Sequence, residues 1–212
     1  MVNMEYSETS VYMLALLPIL TIIEVYNTKG WIFMSNKAEE RSYFISFETA
    51  VLQPIIVNNM IFTKVTNFSG ESHIIGKKPF DIVRHSCSFY GSSFQHTVRL
   101  SRDAIGNYLK LPILIAHDFG NPCIFLPILS PKSDLNVWFS LKAISGFYPT
   151  EEGCAVVLTN GQKIIVPSSP QTISRQVGFA NILNMHLLKR MSYLINTGYI
   201  TQNPQIQKDK QY

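Results

Sequence analysis

Hydrophobic positions along this chain follow two rhythms. Between residues 78 and 93, KPFDIVRHSCSFYGSS, the rhythm is helical. At about 100° per residue, Phe80, Val83, Cys87 and Tyr90, with Ile82, Ser86 and Phe89, fall on one broad side. Asp81, Arg84, His85 and Ser88 collect in the remaining arc. Pro79 suits the first helical position, where its missing N–H costs nothing, and Gly91 suits the left-handed residue that ends a helix. A second helix is predicted from Ser92-Ser93 through Ile105. Phe94, Val98, Ser101 and Ile105 share one side of it, and Gln95, His96, Arg99, Arg102 and Asp103 the other. Gly106-Asn107 stops it. The pair presents a cationic stripe outward and an apolar side to a core.

Elsewhere the rhythm is that of strands. Residues 44–57 read as a strand whose Pro54 calls for an edge or a bend. Residues 60–68 and 73–77 read as the arms of a hairpin around Ser69-Gly70. Residues 111–116 and 123–130 are short apolar runs separated by the turn-rich HDFGNP, and residues 137–148 and 154–159 follow. Asn160-Gly161 is the strongest hairpin signal, because both turn positions favour positive φ; it leads into residues 162–166, and Pro167 ends that strand. Residues 172–195 return to helical spacing, with Ile173, Val177, Ala180, Leu187, Met191 and Leu194 on one face. The predicted fold class is α+β: a single domain of mostly antiparallel strands, two short helices near the middle and a longer C-terminal helix.

The 212 residues are enough for one ordinary domain, and 46% hydrophobic with 15% charged residues indicate a globular chain. Three segments are expected: an apolar N-terminal extension (1–33) that the domain does not require, the domain itself (34–195) and a mobile polar tail (196–212). Within the extension, residues 11–23 are apolar but interrupted by Pro18 and followed by Glu24. That run is shorter than the roughly 20 residues a membrane span needs, and no basic start marks a signal peptide; no membrane role is expected. Met34 is an alternative start to Met1. The net charge of +4 is unevenly spread. Residues 1–59 hold three Lys and Arg against six Glu, whereas residues 154–207 hold no acid and four cations. Cys87, Cys123 and Cys154 are an odd number without CxxC pairing; they are expected to be buried thiols in a cytoplasmic protein.

The sequence offers little for catalysis. Cys87 and His85 stand two apart, so a helix points them to different faces. Histidines 73, 85, 96, 117 and 186 lack metal-ligand spacing. Asp134, Glu151 and Glu152 sit in loops, and a hydrolase built on such carboxylates ranks third among the functional readings. No Gly-rich phosphate loop is present. No catalytic residue, cofactor or metal is expected. Cations carry the remaining chemistry. Lys77, Lys78, Arg84, Arg99, Arg102 and Lys110 surround the two-helix unit, with Arg175, Lys189 and Arg190 as a second choice in the acid-free region. Such groups neutralise phosphates, and an Arg can enter the narrow minor groove of A/T-rich DNA.

The run I-V-R-H-S-C-S-F-Y-G-S-S resembles the signature of the competence transcription factor (ComK) family. The likeness continues through residues 111–116 and 123–129, Trp138, the Asn160-Gly161 turn and Pro167, covering about residues 46–194. It implies a DNA-binding transcriptional activator of competence (DNA-uptake) genes that acts as a homodimer or higher homo-oligomer. Its sites would be A/T-rich promoter boxes on double-stranded DNA, met largely through the minor groove. It also implies RNA polymerase and a proteolytic adaptor as partners. Where relatives tend to carry further basic residues, this chain has His85 and Ser88, and FQHTVR follows Gly-Ser-Ser. Those departures motivate the alternative of a regulatory protein-interaction module with weak or lost DNA binding.

Overall fold

The computed structural model describes residues 43–118 and 120–202, with side chains to residue 193. The apolar run 11–23, the Met34 start and residues 203–212 of the tail lie outside the described residues. Nine strands and three helices follow in the order β1 (Thr49–Val57), β2 (Met60–Asn67), β3 (Ser72–Ile75), α1 (Pro79–Phe89), α2 (Phe94–Ile105), β4 (Ile113–Asp118), β5 (Asn121–Pro127), β6 (Trp138–Ser140), β7 (Ile144–Thr150), β8 (Gly153–Leu158), β9 (Lys163–Val166) and α3 (Pro170–Gln202) among the described residues. The fold is α+β, and every strand pairing is antiparallel.

Two three-stranded meanders join edge to edge in a six-stranded sheet of order β3-β2-β1-β6-β5-β4. The seam is short: Val51 faces Phe139 and Leu52 faces Trp138. Alternation along these strands feeds two cores. Leu52, Phe125 and Trp138 point to a cluster completed by Ile82, Val83 and Cys87 of α1. Val51, Leu126 and Phe139 point to a second, completed by β8, β9 and α3 through Val156, Val166, Ile173 and Leu183. A sheet covered on both faces explains why β5 reads as an unbroken apolar run rather than an alternating one. Each large side chain buried there contributes about 1.5–3 kcal/mol. Pro54 sits where β1 has passed its last partner on β6 and is an edge, as its missing N–H requires.

Three boundaries differ from the expected ones. Residues 44–48 precede β1 instead of extending the strand: Phe44 and Ile45 dock on α1, and Ser46 turns the chain into β1. The expected strand over 137–148 divides into β6, a 3-10 turn over Leu141–Ala143 and β7. This break lets the chain leave the six-stranded sheet and open the three-stranded sheet β7-β8-β9. Helix α3 runs from Pro170 to Gln202, longer at both ends than the spacing predicts. The β7–β8 turn requires glycine twice over: Gly153 has φ 135°, and a Cβ there would run into the Val166 carbonyl oxygen.

Candidate nucleic-acid interface

Helix α1 begins at Pro79 and ends in a Schellman arrangement. Ser92 N–H donates to the Cys87 carbonyl (2.9 Å) and Gly91 N–H to that of Ser88 (3.1 Å), with Gly91 at φ 79°. Two residues later, Ser93 caps α2 by accepting from His96 N–H at 3.1 Å. Gly-Ser-Ser is therefore the hinge that ends one helix and starts the next.

The inward side of α1 clamps the chain that precedes β1. Ser86 Oγ accepts from Ile45 N–H (2.9 Å) and donates to the Ile82 carbonyl (2.8 Å). The Tyr90 hydroxyl donates to the Ile45 carbonyl at 2.8 Å. Phe89, expected on the buried side, is 60% exposed but stacks on Phe44 at 4.2 Å. All three cysteines are buried free thiols. Burial pushes the Cys87 thiol up to about 11 and the Cys123 thiol to about 12, opposite to the depression a nucleophilic thiolate needs. His85 Nδ1 lies 2.6 Å from the Asp81 carbonyl, so that nitrogen carries the hydrogen; the ring is turned to its own helix and away from Cys87.

The outward side is different. Arg84 of α1 and Gln95, Arg99 and Arg102 of α2 converge on a groove of about 490 Å³ that Lys132, from the loop before β6, closes. Its floor is Phe80, Phe94 and Val98, with the two rings packed edge to face at 5.0 Å. Gln95, Arg99 and Arg102 follow one another at i, i+4 and i+7, the spacing that lines up side chains on one helix face. Arg84 makes a 3.2 Å ion pair with Asp81, an exposed contact worth at most about 1 kcal/mol and easily exchanged for another anion. Arg99, Arg102 and Lys132 make no ion pair among the described residues.

The remaining sequence candidates lie elsewhere. Lys78 is held by Asp134 at 3.0 Å. The Lys110 ammonium donates to the Ile128 carbonyl at 3.0 Å and serves the loop entering β4. Lys77 does not line the groove; its carbonyl accepts from the Thr63 hydroxyl. Arg175, Lys189 and Arg190 are exposed on α3, where 14 residues place the first about 21 Å along the axis from the second. Lys132 had no signal in the sequence, because it is a lone loop cation that only the β5–β6 connection carries to the two helices. Among the described residues no group of three or more His, Cys, Asp or Glu forms a metal cage, and no helix is long and apolar enough to cross a membrane.

Fold and groove together define an α+β domain with a concavity that is apolar below and cationic at its rim, a shape suited to a polyanion. Residues 40–192 match the model of the ComK protein family, and the chain belongs to that family. It is similar to the competence transcription factor of Bacillus subtilis (strain 168), with 26% identity over 147 residues, covering 68% of this chain and 75% of the relative. No solved structure matches it.

Proposed function

We propose that this protein is a DNA-binding activator of competence genes that recognises A/T-rich promoter boxes as a homo-oligomer, largely through the minor groove. The observation that carries the reading is the convergence of Arg84, Arg99, Arg102 and Lys132 on one groove. Guanidinium and ammonium groups so placed displace counterions from a phosphate backbone, and each contact adds about −0.9 to the slope of log affinity against log salt. Family membership and the named relative support the transcriptional role. The role is one of binding, and the buried thiols are not part of it.

The test is fluorescence anisotropy with A/T-rich and G/C-rich duplexes at two or more salt concentrations, using the full chain. Tighter binding to the A/T-rich duplex with a steep salt dependence is expected. Equal, salt-insensitive or undetectable binding would remove the proposal in favour of a protein-interaction module.

A further inference from the structure

The β1–β2 hairpin leaves the six-stranded sheet as a two-stranded arm. β6 accompanies β1 only at Val51 and Leu52, and β3 accompanies β2 only over Thr63–Thr66. Beyond them the pairs Ile55–Phe62, Ile56–Ile61 and Val57–Met60 have no third strand among the described residues. At about 3.4 Å per residue the arm extends on the order of 10 Å. Its tip is Asn58-Asn59, with φ of 50° and 60°, the doubly left-handed geometry of a tight hairpin turn. Glycine would hold that turn with less strain, and asparagine is among the few other residue types that adopt it readily. Ile56 and Met60 flank them, 59% and 57% exposed. No acidic residue occurs between Thr49 and Glu71, so nothing on the arm repels a polyanion.

The arm is rooted beside the cationic groove. The Thr63 hydroxyl donates to the Lys77 carbonyl at 2.6 Å, and the Phe62 ring lies against Gly76. Helix α1 starts at Pro79, directly after them, and its Phe80 and Arg84 line the groove. Arm and groove thus share one end of α1, but their chemistries differ. The groove offers charge, which attracts any phosphate backbone. The arm offers uncharged amide donors and small apolar flanks. In the minor groove, A·T pairs present only acceptors (adenine N3 and thymine O2), whereas G·C pairs add the guanine amine, itself a donor. Amide N–H groups suit the first; at G·C pairs the guanine amine occupies the floor of the groove and leaves only the amide oxygen a partner there. Apolar side chains beside them can wedge against base steps.

We propose that the Asn58-Asn59 arm is a second DNA contact, placing its amides in the minor groove of an A/T-rich duplex whose backbone lies against the Arg84, Arg99 and Arg102 groove. This rests on the DNA-binding reading above and adds uncharged hydrogen-bonding groups to the charge of the guanidinium groove.

The test compares the full chain with Asn58→Gly/Asn59→Gly, which deletes both amides yet keeps residues at ease with positive φ. Binding to A/T-rich and G/C-rich duplexes is followed by anisotropy across a salt series, beside thermal unfolding and sedimentation of the free protein. The expected result is an A/T-duplex affinity lower by about 10-fold, with G/C-duplex affinity, salt slope and unfolding midpoint retained. A variant that keeps the full A/T preference of the parent chain overturns the arm and leaves the groove standing. A parent chain that binds neither duplex overturns the DNA reading itself. A variant whose sedimentation changes while its A/T preference does not assigns the arm to contact between copies, and the proposal fails.

Discussion

The two sides of α1 use polar groups in opposite ways. Inward, Ser86 and Tyr90 spend their hydroxyls on the backbone of Ile45, 41 and 45 residues away in sequence, and Cys87 is sealed in the core. Outward, Arg84 keeps 54% of its side chain in solvent and holds only an exchangeable partner. The residues that make the family recognisable, Ser-Cys, the aromatic pair and Gly-Ser-Ser, are thus mostly a folding device. They fasten the segment before β1, bury a thiol and turn one helix into the next. The cations that line the groove are Arg84, which lies in that same run, with Arg99 and Arg102 of α2 and Lys132 of the loop before β6. This contrast separates stability from binding residue by residue, and it can be broken from either side.

The largest expected effect is on the inward side. Ile82→Ala removes a fully buried side chain between α1 and the sheet and should cost about 2–5 kcal/mol in denaturant unfolding. The DNA affinity of the remaining folded fraction should not change. Ser86→Ala strands the Ile45 N–H in the core and should cost about 1–3 kcal/mol. A double cycle with Tyr90→Phe should show coupling, since both hydroxyls hold one residue. Additive effects in that cycle would break the clamp.

Alkaline stability sharpens the same side. Cys87 and Cys123 hold their protons in the fold to about pH 11 and 12, whereas the unfolded chain releases them near pH 9. Between those values the folded state binds more protons, so stability falls as pH rises from about 9. Cys87→Ala should flatten that fall, measured by unfolding at several pH values. At pH 7 none of the three thiols should react with a thiol reagent until the protein is denatured. Native-state labelling of Cys87 would contradict its place in the core.

The smallest effects on stability belong to the outward side. Arg84→Ala, Arg99→Ala and Arg102→Ala should each shift unfolding by less than about 0.5 kcal/mol, while each lowers the salt slope of DNA binding by about 1. Arg175→Ala, on α3 and outside the groove, should change neither. A slope change at Arg175 matching that at Arg99 would erase the distinction between the two cationic regions.

Much of the fold was legible because local rules and tertiary needs agree. Pro79, Gly91 and Gly106 punctuate the helices where their backbone preferences place them; Asn160-Gly161 lies in its hairpin, but only Gly161 takes positive φ, and the doubly left-handed pair is Asn58-Asn59. What was not legible depended on distant partners. Phe89 reads as core by spacing, yet it lies on the surface against Phe44. The apolar run through residue 148 reads as one strand, yet it serves two sheets. For the groove, helical spacing alone brought Arg99 and Arg102 together, and the helix pair added Arg84. Lys78 and Lys110 matched by type but are tied to Asp134 and the Ile128 carbonyl, and sequence cannot distinguish a spoken-for cation from an open one. Lys132 needed the whole β5–β6 connection to become visible.

The most direct measurement is the salt dependence of binding to an A/T-rich duplex by the parent chain and by Arg84→Ala/Arg99→Ala/Arg102→Ala. With three phosphate contacts removed, the log–log slope should become shallower by about 3 and affinity at low salt should drop, with the unfolding midpoint preserved. An unchanged slope and affinity in a folded triple variant would show that DNA, if bound at all, meets another surface.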